Sequence, residues 1–154
     1  MERKTSQGFT LIELLVVIGI LAILLSITLI AINPARNFGK ANNTKRTSAV
    51  LQVLNAIGAY QAENKGQLPG QVLSLVPLTP VTLNATTMPL LCTTLVPNYI
   101  PALPTDPSLN VADIDTSLCG GNWNTGYQIS RDVNNRLTVS APLSDNGDPI
   151  TVSR

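Results

Sequence analysis

The sequence of 154 residues contains no histidine, which removes the commonest general base and the commonest metal ligand together. Charge is scarce as well: Asp, Glu, Lys and Arg make up 12% of the chain, and ten basic side chains against nine acidic ones leave a formal net charge of +1. Without an excess of one sign there is no global field to recruit nucleic acid by phosphate neutralisation, which argues against nucleic acid as a partner. The length leaves room for one domain of ordinary size plus an extension and excludes two large ones. Aromatic residues reach only 4% while apolar residues make up 44%, a balance that points to apolar content gathered in one place.

That place is the stretch from Phe9 to Ile32, FTLIELLVVIGILAILLSITLIAI, in which Glu13 is the only charge. Thr10, Ser26 and Thr28 are its only other polar side chains. As a helix these residues span roughly 36 Å at about 1.5 Å per residue, enough for a hydrocarbon core of about 30 Å. A cleavable secretory signal has an apolar core of only about 7 to 15 residues ending at a small-residue cut, and neither condition is met.

The chain divides into a leader (1–8), a transmembrane or assembly helix (9–34), an amphipathic helix (35–65) and a head (66–154). Asn33-Pro34 marks the first break, because proline lacks the amide donor and clashes with the preceding turn, and Gly39 weakens the same region. Beyond it Val50, Val53, Leu54 and Ile57 follow helical spacing with Ala49, Ala56 and Tyr60 beside them, while Lys45, Gln52, Asn55 and Glu63 fall on other faces. Lys65, Gly66 and Pro69 supply the stop. Ten of the eleven prolines lie from Pro69 onward, so strands and ordered loops rather than long helices must fill the head. Alternation predicts a hairpin of Tyr127–Val133 against Leu137–Ala141, turned at Asn134-Asn135, and a short further strand at Ile150 and Val152.

The chemistry lies in the carboxylate inside the apolar run. An acidic residue at mid-membrane costs about 2.5 to 3.5 kcal/mol, and such residues tend to be paired and functional. The chain offers a partner only if it is cut: hydrolysis after Gly8 creates an α-ammonium on Phe9, one helical turn from Glu13. The positive end of the helix dipole favours an acid there too. Between staggered subunits the same pairing sets an axial register, since other offsets leave a charge unpaired in a dry core.

Gly8-Phe9-Thr10-Leu11-Ile12-Glu13-Leu14-Leu15, behind a short leader bearing Arg3 and Lys4, resembles the processing signature of type IV prepilins and the related pseudopilins. The resemblance implies cleavage between Gly8 and Phe9 by a membrane-embedded aspartic prepilin peptidase on the cytoplasmic side, N-methylation of Phe9, and pairing of Glu13 with the Phe9 amine of a neighbouring subunit. It implies an α+β fold: a long N-terminal α-helix, membrane-spanning in its first half and amphipathic in its second, against a small antiparallel sheet of three or four strands, with a disulfide near the C-terminus. The partners implied are further copies of the chain in a helical polymer, the peptidase and methyltransferase, a pilus assembly platform, and the inner membrane before assembly. Tyr99-Ile100-Pro101-Ala102-Leu103-Pro104-Thr105-Asp106-Pro107 and Gly126-Tyr127-Gln128-Ile129 are similar to segments of pilin and pseudopilin heads.

Cys92 and Cys119 suit one disulfide outside the cytoplasm, whose loop closure contributes about 3 to 4 kcal/mol in the chain-entropy model; two unrelated buried thiols are the other reading. Asp106, Asp113 and Asp115, or Asp145 and Asp148, have the oxygen ligands of a calcium loop but not its 12-residue spacing, so turn chemistry is preferred and neither metal nor cofactor is assigned. Trp123, in a glycine-rich loop, either anchors a partner or lids the sheet. Arg36, Lys40, Lys45 and Arg46 outnumber the basic residues of the leader, against the positive-inside rule. Residues 33–65 carry a net charge of +4 and residues 66–154 a net of −3, so this stretch is expected either to meet acidic heads of neighbouring subunits or to lie as a solvated face near anionic lipid.

A structural filament subunit, pilus or type II secretion pseudopilus, is therefore the expected function. A membrane-anchored enzyme is the opposing class, but no nucleophile stands beside a base. A DNA-uptake pilin would need a basic stripe on the head, where only Arg131, Arg136 and Arg154 are available.

Overall fold

The computed structural model describes residues 8–147 and 149–154. The leader's Arg3 and Lys4 and the acid Asp148 lie outside the described residues. Two compact units divide between Phe38 and Gly39.

The first unit is dominated by helix α1 (Leu11–Ile32), which has no buried residue and a mean hydropathy of 3.1 over its most apolar window. Its two hydroxyls find partners within the helix: Ser26 Oγ donates to the Ala22 carbonyl (2.8 Å) and Thr28 Oγ1 to that of Leu25 (2.9 Å). Such internal bonding is what a helix in hydrocarbon requires. Asn33, left-handed at φ 44°, ends α1, and Pro34 opens α2 (Pro34–Glu63), where a missing N–H costs nothing. Asn37 Nδ2 caps the freed Ile32 carbonyl at 3.0 Å.

The second unit begins inside α2. From Gly39 onward that helix buries Asn43, Arg46, Ala49, Val50, Val53, Leu54, Ala56 and Ile57, and leaves Lys45, Gln52 and Asn55 in solvent. The helix ends in two left-handed residues, Lys65 (φ 55°) and Gly66 (φ 82°), with the Gly66 N–H on the Gln61 carbonyl at 2.8 Å. After the short helix α3 (Gly70–Leu73) come β1 (Val81–Asn84), the short helix α4 (Leu91–Leu95), β2 (Asn124–Arg131), β3 (Leu137–Ala141) and β4 (Ile150–Ser153). The strands form one antiparallel sheet in the order β1-β2-β3-β4, with Ile129 opposite Val81 on one side and Val139 on the other. Tyr127, Ile129, Leu137, Val139, Ala141 and Ile150 join the apolar face of α2, Leu91, Leu95 and Trp123 in a single core.

The α+β class, the α2 stripe, the hairpin and the Ile150–Val152 strand agree with the expectations from sequence. The hairpin is tighter in strand and wider in turn than predicted. β2 stops at Arg131, and Val133, read as a strand position, stands 73% exposed in the turn. The reason is Asp132, whose Oδ1 accepts from the backbone N–H groups of both Asn134 (2.8 Å) and Arg136 (2.7 Å) and so curls the chain before the ladder can continue. Only Asn135, at φ 63°, supplies the left-handed residue.

Candidate functional site

At the N-terminal end of α1, Phe9 is 91% exposed and Gly8 has no neighbour that a Cβ would meet. Thr10 is the N-cap. Glu13 turns back on it: Oε2 accepts from Thr10 N–H and from Thr10 Oγ1, both at 2.8 Å, while Thr10 Oγ1 accepts from the Glu13 N–H at 3.3 Å. This capping box satisfies otherwise orphaned helix-terminal donors and holds the carboxylate beside the positive end of the helix. The pattern Thr-Leu-Ile-Glu ahead of an apolar run is its signature, and sequence reasoning had passed over it. Both Glu13 and every apolar neighbour from Leu11 to Val17 are exposed.

A second polar cluster lies in the other unit. Arg46, 1% exposed, grips Asp106 with two parallel bonds, Nε to Oδ2 at 2.8 Å and Nη2 to Oδ1 at 3.0 Å. Its Nη1 donates to Asp145 Oδ2 at 2.7 Å and to Asn43 Oδ1 at 3.0 Å. Asn43, one turn earlier, exchanges two bonds with the Asp145 backbone, Nδ2 to its carbonyl (2.8 Å) and Oδ1 from its N–H (2.9 Å). Two distant loops are thereby tied to α2. Gly39 completes the junction, for a Cβ there would come within 2.7 Å of Asn146 Nδ2 and 3.0 Å of Asp145 Cβ. Gly126, at φ 78°, does the same for the other loop, since a Cβ would meet Asp106 Cβ at 2.9 Å.

Burial pushes the Asp106 carboxyl up, but the Arg46 guanidinium and the Ser108 hydroxyl and amide outweigh it and hold the group below the usual aspartate range. Asp145 is likewise held low, chiefly by Arg46, and the two carboxylates raise Arg46 above its ordinary value. The expectation that Arg46 belongs to an outward basic stretch is therefore corrected: it is a buried clamp within its own head. Arg36, Lys40 and Lys45 are the exposed cations of that stretch. The acids considered for calcium are occupied otherwise. Asp106 and Asp145 hold Arg46, Asp113 accepts from Thr105 N–H at 2.9 Å, and Asp115 caps Ser117 N–H at 2.9 Å.

Cys92 and Cys119 form a disulfide with a Cα–Cα distance of 5.4 Å, joining α4 to the loop ahead of β2. Trp123 is buried, as a lid on the core, yet its Nε1 has no hydrogen-bond partner among the described residues.

Residues 3–29 match the family model described as the prokaryotic N-terminal methylation motif. The N-terminus carries a methylation motif of the prepilin kind. It covers Gly8, Phe9 and Glu13 and most of α1, and so includes the capping box. Over 64 residues the chain is 39% identical to the type II secretion system core protein G of Aeromonas hydrophila, a match to 42% of this chain and 43% of that protein. The chain thus spans less than half the length of the curated relative it matches. No solved structure matches it.

Proposed function

We propose that this chain is a structural subunit of a type IV pilus-like surface filament. It is made as a single-pass inner-membrane precursor, cut between Gly8 and Phe9 by prepilin peptidase, N-methylated on Phe9, and polymerised through α1 by the assembly platform. The observation that carries this reading is Glu13, a carboxylate five positions past Gly8 inside a methylation motif, on an apolar helix that buries nothing in its own chain. A charge in hydrocarbon needs a counter-charge, and the amine released on Phe9 of a neighbour supplies one at a single axial offset. The pairing selects register as well as neutralising charge. The role is read as structural rather than catalytic: among the described residues the buried Arg46 is taken up by bonds to Asp106, Asp145 and Asn43.

The match to a type II secretion core protein favours a second reading, a pseudopilin of such a system. Electron microscopy of sheared surface filaments, with the subunit identified by mass, separates the two. In either case the assembled chain is expected to begin at methylated Phe9 by mass spectrometry, and a polymer beginning at Met1 overturns processing.

A further inference from the structure

Two of the head's three arginines line one pocket, and the third is bonded to its wall. The β2–β3 turn, the residue after β4 and the C-terminal half of α2 bound an open pocket of about 340 Å³. Its polar wall is Gln61, Asn134, Asn135, Arg136 and Arg154, all exposed or half-buried. Leu54 and Leu137, both buried, supply its apolar part. Arg131 Nη1 donates to Asn135 Oδ1 at 2.5 Å, which leaves Asn135 Nδ2 to serve as a donor. Arg154 is held twice: its backbone exchanges bonds of 2.9 and 2.8 Å with Leu137, and its Nη1 donates to Asn55 Oδ1 at 3.0 Å. Gly58 makes room for that guanidinium, since an added Cβ would already touch Nη1 at 3.5 Å.

The pocket is rich in positive charge that nothing in the head answers. Among the described residues neither Arg136 nor Arg154 has an ion-pair partner, and the lining residues include no carboxylate side chain. The neighbouring acids are engaged elsewhere: Asp132 Oδ1 accepts from the Asn134 and Arg136 backbone N–H groups, and Glu63 accepts from the Tyr99 hydroxyl at 2.8 Å. Two guanidinium groups in one concavity suit an oxyanion, which such groups bind by paired hydrogen bonds. The three amide side chains offer donors and acceptors together, the combination that hydroxyl groups need. The volume lies in the lower part of the roughly 300 to 1,000 Å³ range of small-molecule sites, well above the space of a bare ion. We propose that this pocket binds an anionic sugar, a polyhydroxylated ring bearing a carboxylate or a phosphate. Arg136 and Arg154 take the anion, and Gln61, Asn134 and Asn135 take the hydroxyls. A nucleic-acid strand fits less well, because the lining residues include no aromatic side chain on which a base would stack. The site lies outside the N-terminal chemistry and stands or falls independently of the filament reading.

The test is an NMR titration of the full chain in detergent micelles with glucuronate, glucose phosphate, glucose and inorganic phosphate. Backbone signals from Asn134 to Leu137 and of Arg154 are expected to shift saturably with the two anionic sugars, at a Kd of about 1 mM, and about tenfold more weakly with glucose or inorganic phosphate. Arg136→Gln and Arg154→Gln are each expected to weaken glucuronate about tenfold, whereas Arg36→Gln, on α2 outside the pocket, leaves it unchanged. Gly58→Leu fills the space without altering charge and replaces a weak helix former by a strong one, so it is expected to abolish binding in a folded head. Inorganic phosphate binding as well as the sugars overturns the sugar, and glucose binding as well as glucuronate overturns the role of the arginines. Absence of saturation with both anionic sugars, or shifts that survive Gly58→Leu, overturns the site. Tighter and strongly salt-dependent binding of a single-stranded oligonucleotide overturns the ligand class in favour of a phosphate backbone.

Discussion

Helix α1 and the middle of α2 are both apolar and both helical, yet they meet opposite fates. Every residue of α1 is exposed, whereas Ala49, Val50, Val53, Leu54, Ala56 and Ile57 of α2 are buried. The difference lies in patterning. An amphipathic stripe has one face to bury and one to leave in water, and a single domain can satisfy it. A helix that is apolar all round has no face for water, and its partners must come from outside the chain. The polar groups follow the same division: the buried charge of α2, Arg46, is answered by Asp106 and Asp145 of its own head, while Glu13 of α1 has, among the described residues, only Thr10.

The largest effect that would sharpen this contrast is on assembly. Glu13→Ala is expected to leave insertion of α1 intact and lower filament yield on the order of a hundredfold, the equivalent of an uncompensated charge in hydrocarbon; normal filaments from this variant would remove the register argument. Arg46→Ala should act on the head alone. Stranding Asp106 in the interior costs about 3 to 5 kcal/mol, read as a fall in Tm of about 10 to 20 °C, with membrane insertion unchanged. Reducing Cys92–Cys119 is expected to cost the head about 3 to 4 kcal/mol by thermal melting, and a Tm that does not move would deny the bond any role in stability. The mildest change is acidification. Asp106 and Asp145 have lowered folded values, so their contribution is fully present above the ordinary aspartate range and is lost as pH falls below about 4 through those values. Melting followed from pH 7 to pH 3 should show the decline, and Arg46→Ala should blunt it.

Local signals carried well into structure. The apolar run, the Asn33-Pro34 break, the stripe from Ala49 to Ile57 and the alternation of Leu137, Val139 and Ala141 are patterns within a few residues, and each appears where its period placed it. What escaped detection depends on partners far along the chain. Arg46 sits beside Lys45 and looks like a second solvated cation; only Asp106 and Asp145, 60 and 99 positions away, make it a buried one. Strand β1 is four residues between Pro80 and a turn, with its register to β2 interrupted between Thr82 and Asn84, so no alternation long enough to notice survives. Val133 kept the right spacing for a strand, but the side chain of Asp132 ended the ladder first. At the candidate assembly site the Gly8, Phe9 and Glu13 pattern was legible, since it is written in consecutive residues, and only the Thr10 cap went unnoticed.

The capping box has a consequence for how subunits would join. Both bonds from Thr10 end on Oε2 of Glu13, so among the described residues the second carboxylate oxygen has no partner. A neighbour's ammonium could approach Oε1 while Thr10 still holds Oε2, and the two partners could trade places without the anion ever standing bare in lipid. Addition of a subunit would then proceed as an exchange of hydrogen bonds at an already occupied group, with no isolated charge at the top of the barrier.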